Sequence, residues 1–183
     1  MIKLFSKILL IFFSVANINS TAATTKQTVQ TIYAGSFSAL ISTPPGWVYF
    51  SGDADDEKMG VLALYKLGNK SRNEAQILVQ AIPLKYTKNM LEIQIQDDKK
   101  RNLNSSGNFN GTKFFKTRSG IQAAIDSWTY PTNNNFIGIV PSDEGVLIVG
   151  GYSMNKDFDK QTQDAVQLIM KNAKFMNRIL IKN

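Results

Sequence analysis

The sequence predicts an α+β domain in which an antiparallel sheet is covered on both faces by helices. Three observations lead there. Short apolar segments follow one another with Gly, Pro and Asn between them, several of those segments are apolar on both faces, and one C-terminal stretch carries apolar residues at helical spacing.

Taken in order, Thr21 to Gln27 is small and polar and reads as a leader. Thr28 to Tyr33 and Phe37 to Ser42 have strand composition, with Gly35 between them. Pro44-Pro45-Gly46 stops the chain, because proline brings no donor to a ladder and glycine permits the turn. Trp47 to Phe50 resumes an apolar stretch, and Ser51 to Lys58 is an acidic loop. Val61 to Leu67 and Ala75 to Ile82 are further strands joined by the polar segment Gly68 to Glu74. Phe109 to Lys116, Ile121 to Tyr130, Phe136 to Val140 and Gly145 to Ser153 complete the set. Their separators, Gly120, Pro131 to Asn135 and Pro141 to Gly145, are hairpin material.

Alternation tells how the sheet is dressed. Val146 and Ile148 fall on one face and Leu147 and Val149 on the other, and Ile77 and Val79 oppose Leu78 and Ile82 in the same way. A sheet wet on one side would alternate apolar with polar, so this one needs cover on both. Asp157 to Ala173 supplies one covering helix. Phe158, Thr162, Ala165, Val166, Ile169 and Ala173 form its apolar stripe, and Lys160, Gln163, Gln167, Lys171 and Lys174 the opposite face. Asn155 or Asp157 can cap its start, and Lys171 and Lys174 suit the negative end of its dipole. Thr87 to Asn104 is ambiguous: Leu91, Ile93 and Ile95 have strand spacing, while Leu91 and Ile95 also lie a helical turn apart. The length of the segment favours a helix, with Thr87 as a possible cap.

The first residues give an address. Lys3 and Lys7 flank a basic start, Ile8 to Ala16 is an uncharged apolar run, and small residues follow, including Ser20, Ala22 and Ala23. The run is about half the ~20 residues a spanning helix requires, so residues 1–23 are expected to be a secretory signal. Residues 24–177 would then be a single globular domain and 178–183 a short tail, and no second apolar run is long enough to cross a membrane. The mature chain is expected to be periplasmic or secreted.

Composition excludes much chemistry. Among 183 residues there is no cysteine, so neither disulfides, thiol nucleophiles nor thiolate metal sites are available. There is no histidine either, which removes Ser-His-Asp triads and the commonest zinc ligand. The net charge of +7 falls to +5 once Lys3 and Lys7 leave with the signal; spread over a solvated surface, this does not require nucleic acid.

The remaining motifs are weak. Asp53-Ala54-Asp55-Asp56-Glu57 opens like a calcium loop, but the positions where an EF-hand needs glycine and glutamate hold Lys58 and Leu64. Ser153-Met154-Asn155-Lys156 matches S-x-x-K, yet the serine ends a strand and no partner motif follows. Carboxylates could still run glycosidase-type chemistry without histidine, and Asp126 beside Trp128, or Asp143 with Glu144, are the candidates. Lys99, Lys100 and Arg101, with Lys113, Lys116 and Arg118, could form a basic face with Phe114 and Phe115 nearby, in which alternation sends one phenylalanine to the core. Trp47 and the Trp128–Tyr130 pair sit beside turns, where large aromatics either pin loops on the core or line a recognition groove. The possible partner-binding residues are therefore Trp47, Trp128, Tyr130, Lys113, Lys116 and Arg118, with no catalytic, cofactor or metal residue assigned.

Phe37 to Trp47 (FSALISTPPGW) resembles the strand and Pro-x-Gly-Trp turn that opens PsbP-like domains. Gly145 to Phe175 is similar to their closing strand, C-terminal helix and short final segment. That resemblance implies an α/β/α sandwich with a central antiparallel sheet flanked by helices, in a bacterial exported member, and supports the helical reading of Thr87 to Asn104. It implies a binding or accessory role and carries over no catalytic residue. The expected function is an exported accessory protein, not an enzyme and without cofactor. It would bind an unknown protein in the envelope or outside the cell and no nucleic acid. The alternatives are an immunity-type or virulence-associated secretion protein, and a carboxylate-dependent hydrolase acting on envelope glycans.

Overall fold

The computed structural model describes residues 28–34, 37–50, 56, 58, 60–71, 74–83, 87, 89–103 and 106–176. The expected signal, the tail 178–183 and nearly all of the acidic loop lie outside the described residues. Ten strands, two α-helices and one 3-10 turn make up the described structure. They are β1 (Val29–Ala34), β2 (Phe37–Ser42), β3 (Trp47–Phe50), β4 (Val61–Leu67), β5 (Ala75–Pro83), α1 (Met90–Leu103), β6 (Asn108–Lys116), β7 (Gln122–Thr129), β8 (Asn134–Ser142), β9 (Gly145–Ser153), the 3-10 turn Lys156–Phe158, α2 (Asp159–Asn172) and β10 (Lys174–Phe175).

The turn before β3 shows how local chemistry sets these boundaries. Trp47 N donates to Pro44 O at 3.1 Å while Gly46 adopts φ 79°. A type II turn needs that combination of proline second and glycine third, and it reverses the chain into Trp47. Strands β3 to β9 form an antiparallel sheet in the order β3-β4-β5-β9-β8-β7-β6. β5 thus pairs with β9, and the segment between β5 and β6 holds α1. The hairpin β1–β2 does not join this sheet; with β10 it forms a separate three-stranded one.

Two apolar clusters occupy the two faces. Leu147 and Val149 of β9 belong to the larger one, with Ile77 and Val79 of β5, Ile32, Ala39 and Ile41 of the small sheet, and Val166, Ile169 and Met170 of α2. Val146 and Ile148, one residue out of phase, belong to the second, with Ala124, Ile139 and Met90, Leu91 and Ile95 of α1. The two-sided apolar strands are explained by this arrangement. The α+β class with a large antiparallel sheet is as expected. Among the described residues its helical cover is α1 on one face and α2 on the other, and the small sheet shares the work on the α2 side.

The α2 stripe is oriented as its periodicity requires: Thr162, Ala165, Val166, Ile169 and Met170 are buried, and Asn155 Oδ1 accepts from Asp157 N at 3.0 Å just ahead of the helix. The helix sits close to the sheet because Gly151 has no side chain. A methyl there would lie 2.6 Å from Val166 Cγ2 and 2.9 Å from Thr162 Cγ2. Tyr65 of β4 donates its hydroxyl to Gln30 of β1, tying the small sheet to the large one.

Candidate functional site

The chemistry-bearing residues of the described structure gather at one end of the sheet, where α1 crosses β6 and β7. Registers Thr112↔Asp126 and Phe109↔Trp128 place Asp126 and Trp128 on the α1 face of β7. Asp126 is completely buried, and its Oδ1 accepts from Thr112 Oγ1 at 2.6 Å. Trp128 is equally buried, and its Nε1 donates to Asp98 Oδ2 of α1 at 3.2 Å. Asn102, one helical turn further on, donates Nδ2 to Asp98 Oδ1 at 2.8 Å and accepts from the Tyr130 hydroxyl at 2.6 Å. α1 is thus docked through a polar chain at its C-terminal half and through Met90, Leu91 and Ile95 at its start.

Burial pushes the Asp126 carboxyl above its ordinary value; the Thr112 hydrogen bond, the Lys99 charge and Asp98 oppose that shift more weakly. Asp126 Oδ2 has no hydrogen-bond partner among the described residues. Because the folded state holds this proton more tightly than the unfolded state, the stability it confers is complete below an unfolded Asp pKa of about 3.9. It is lost as pH rises through the higher folded value. Relative to Asp126→Asn, which cannot titrate, the wild type should lose stability as pH climbs from about 4, then run parallel to it. Urea midpoints of both proteins across that range check this; a constant difference would mean that Asp126 is unperturbed.

The sequence-predicted site residues divide by burial. Trp47, Trp128 and Tyr130 are buried, at 2%, 0% and 8% exposure, and cannot line an open partner surface. Each points into the protein because its partners are inside: Trp47 joins the larger core, and the other two hold α1. Lys113, Lys116 and Arg118 are exposed on β6 and the turn after it, but alternation puts Lys113 on the α2 face with Phe115 and Lys116 on the opposite face with Phe114, so they do not form one basic face. Lys113 Nζ donates to Gln167 Oε1 of α2 at 3.1 Å, and the Arg118 amide donates to Lys171 O at 2.9 Å. Phe115 packs against the larger core, while Phe114 is 54% exposed on the opposite face, as alternation requires.

The carboxylates considered for hydrolysis are not assembled. Asp126 pairs across to Ile137, and the turn holding Asp143 and Glu144 starts five residues further along β8 at Ser142, about 17 Å away at the rise of a strand. Acid and nucleophile of a glycosidase stand about 5–9.5 Å apart. Among the described residues no group of three or more acidic side chains could hold a metal ion.

Asp98 and Asn102 were not singled out from the sequence, although a signal existed. They continue the spacing of Leu91 and Ile95, so a helix through this segment puts both polar side chains on its buried stripe. A polar residue on such a stripe needs a buried partner, here Trp128 and Tyr130.

No family model matches the sequence. No curated protein matches it either. Solved structures do. The cyanobacterial PsbP (CyanoP) of Synechocystis sp. PCC 6803 superposes with a TM-score of 0.51 at 12% identity, covering 87% of this chain and 99% of that one. The chain has a PsbP-like fold. LpqN of Mycobacterium tuberculosis, described as involved in cell envelope biogenesis, is similar at a TM-score of 0.54 and 12% identity, covering 83% and 92%. At such identities the likeness is one of fold. The PsbP-like fold agrees with the resemblance seen in the Pro-x-Gly-Trp turn and in the closing strand and helix.

Proposed function

We propose that this chain is an exported accessory protein that acts by binding another protein in the envelope or outside the cell, and that it is not an enzyme. We read α1 and α2 as the outer layers of an α/β/α sandwich serving as a binding scaffold. The observation that carries the functional reading is the placement of the polar groups. Asp98 lies buried on α1, where it accepts from Trp128 and holds the helix, Asp126 lies buried beneath that helix and accepts from Thr112 of the neighbouring strand, and the turn with Asp143 and Glu144 stands a strand's length away. From Lys113 to Arg118 the edge strand and the turn after it offer solvent three cations and the Phe114 ring. Export is supported by the basic and apolar start of the sequence and by the envelope role given for LpqN. No described helix is long and apolar enough to cross a membrane.

The test has two parts. Intact mass of the protein recovered from the periplasmic or culture fraction should correspond to a chain beginning between Asn17 and Thr24. Retention of Met1 in a membrane fraction would make the segment an anchor. Cross-linking from the same fraction should then capture one stoichiometric protein partner. Glycan turnover by pure wild-type protein, lost in Asp126→Asn, would replace this reading with the hydrolase.

A further inference from the structure

The outer edge of the large sheet at β6 is the feature that binding of this kind would use. β6 ends the strand order, and among the described residues no strand pairs with its outer side. It is nine residues long and mostly exposed, with one bulge between Phe109 and Gly111. From Thr112 onward its register with β7 is unbroken. The direction of its backbone groups follows from the hairpin. Thr117 N donates to Ile121 O at 2.9 Å, so Thr117, Phe115 and Lys113 turn their N–H and C=O toward β7. By alternation Thr112, Phe114 and Lys116 turn theirs outward. Phe114 adds a half-exposed ring at the centre of this ladder.

Natural proteins guard long edges with short strands, bulges, prolines or charges. Here the regular part of β6 has neither bulge nor proline, and its guard is charge. From Lys99 to Ile125 the chain has six basic residues, Lys99, Lys100, Arg101, Lys113, Lys116 and Arg118, and no acidic one. Lys171 of α2 adds a seventh cation, its Nζ 5.9 Å from the Phe115 ring centre. A second copy pairing β6 to β6 would set lysine against lysine, which costs stability. The same charges favour an occupant of the opposite sign. Outward amides and carbonyls in register match an extended peptide backbone, which a nucleic acid strand cannot reproduce.

Resting on the reading of the chain as a binding protein, we propose that an acidic, extended segment of the partner adds to β6 as an eighth strand, pairing with Thr112, Phe114 and Lys116. The probe is a synthetic eight-residue peptide alternating Glu with Thr and Val, titrated into the 15N-labelled protein. Amide shifts should concentrate at Thr112, Phe114 and Lys116, and the same peptide with Lys for Glu should bind at least about tenfold more weakly, as should the wild-type peptide to the double variant Lys113→Glu, Lys116→Glu. Phe114→Pro removes an outward N–H at an edge position where proline is tolerated, and should weaken binding at least about tenfold beyond Phe114→Ala. If Phe114→Pro does not fold, the shift map and the charge-reversed variant decide.

Shifts centred elsewhere, equal binding of the two peptides, or a proline variant no worse than the alanine one would overturn the proposal. So would the same amides responding to protein concentration alone, which means a second copy, or to a single-stranded oligonucleotide but not to the peptide. Capture of a stoichiometric partner that survives both Phe114→Pro and the charge reversal would sink the β6 site while leaving the binding function standing.

Discussion

Replacing Trp128 by alanine is expected to lower the unfolding free energy by about 3–5 kcal/mol. The side chain is completely buried, its ring centre lies 4.9 Å from that of Phe109, and its Nε1 donates to Asp98 Oδ2. Truncation opens a cavity between β7 and α1 and strips Asp98 of one of its donors at the same time. Trp128→Phe separates the two effects. It keeps most of the volume and loses the N–H, so its cost should be about 1–3 kcal/mol, the penalty of an abandoned buried acceptor. Urea midpoints and slopes of the two variants check this. An alanine variant as stable as a surface substitution would mean that the indole does not hold the helix.

Ile169→Ala should cost about 2–5 kcal/mol. Ile169 is fully buried in the middle of the α2 stripe, facing the larger core, so truncation leaves a cavity in a close-packed interior. Gln167, on the outer face, is the control. Its Oε1 accepts from Lys113 Nζ in an exposed bond, and Gln167→Ala should stay within about 0.5 kcal/mol of wild type. Equal shifts of the two urea midpoints would refute the orientation of α2.

Much of the fold was legible because its signals are local. The strands β2, β4 and β9 have the residue bounds their composition and punctuation predict, and the apolar stretch Trp47 to Phe50 is β3. The ambiguous segment around Leu91 resolves as a helix, with Leu91 and Ile95 buried and Ile93 50% exposed, because a helix brings only the first two to one side. What was not legible is long-range. Nothing near Lys174 says that β10 will pair with Leu40 and Ala39, nor that β1 and β2 leave the main sheet, since pairing between distant strands is set by the packed core rather than by either strand alone.

The site divides in the same way. Alternation correctly separates Phe114 from Phe115 and puts Asp126 on one face with Trp128. It cannot say whether that face is open or covered, because the covering residues, Asp98 and Asn102, lie about thirty residues earlier in the chain. Trp47, Trp128 and Tyr130 therefore look in sequence like groove residues and turn out to be internal. The exposed cations on β6 needed no distant partner to be recognised.

The unequal size of the two cores has a consequence for how the molecule breathes. α2 rests on a cluster of twenty described residues drawn from both sheets, whereas α1 shares one of seven and depends for the rest on hydrogen bonds to Trp128 and Tyr130. Regions with few apolar contacts open by sub-global fluctuations at a fraction of the total unfolding free energy. Amide hydrogens of α1 should therefore exchange with solvent through detachment of that helix alone, while those of α2 wait for the whole structure to unfold. The helix that shields Asp126 is the one the protein can most readily lift.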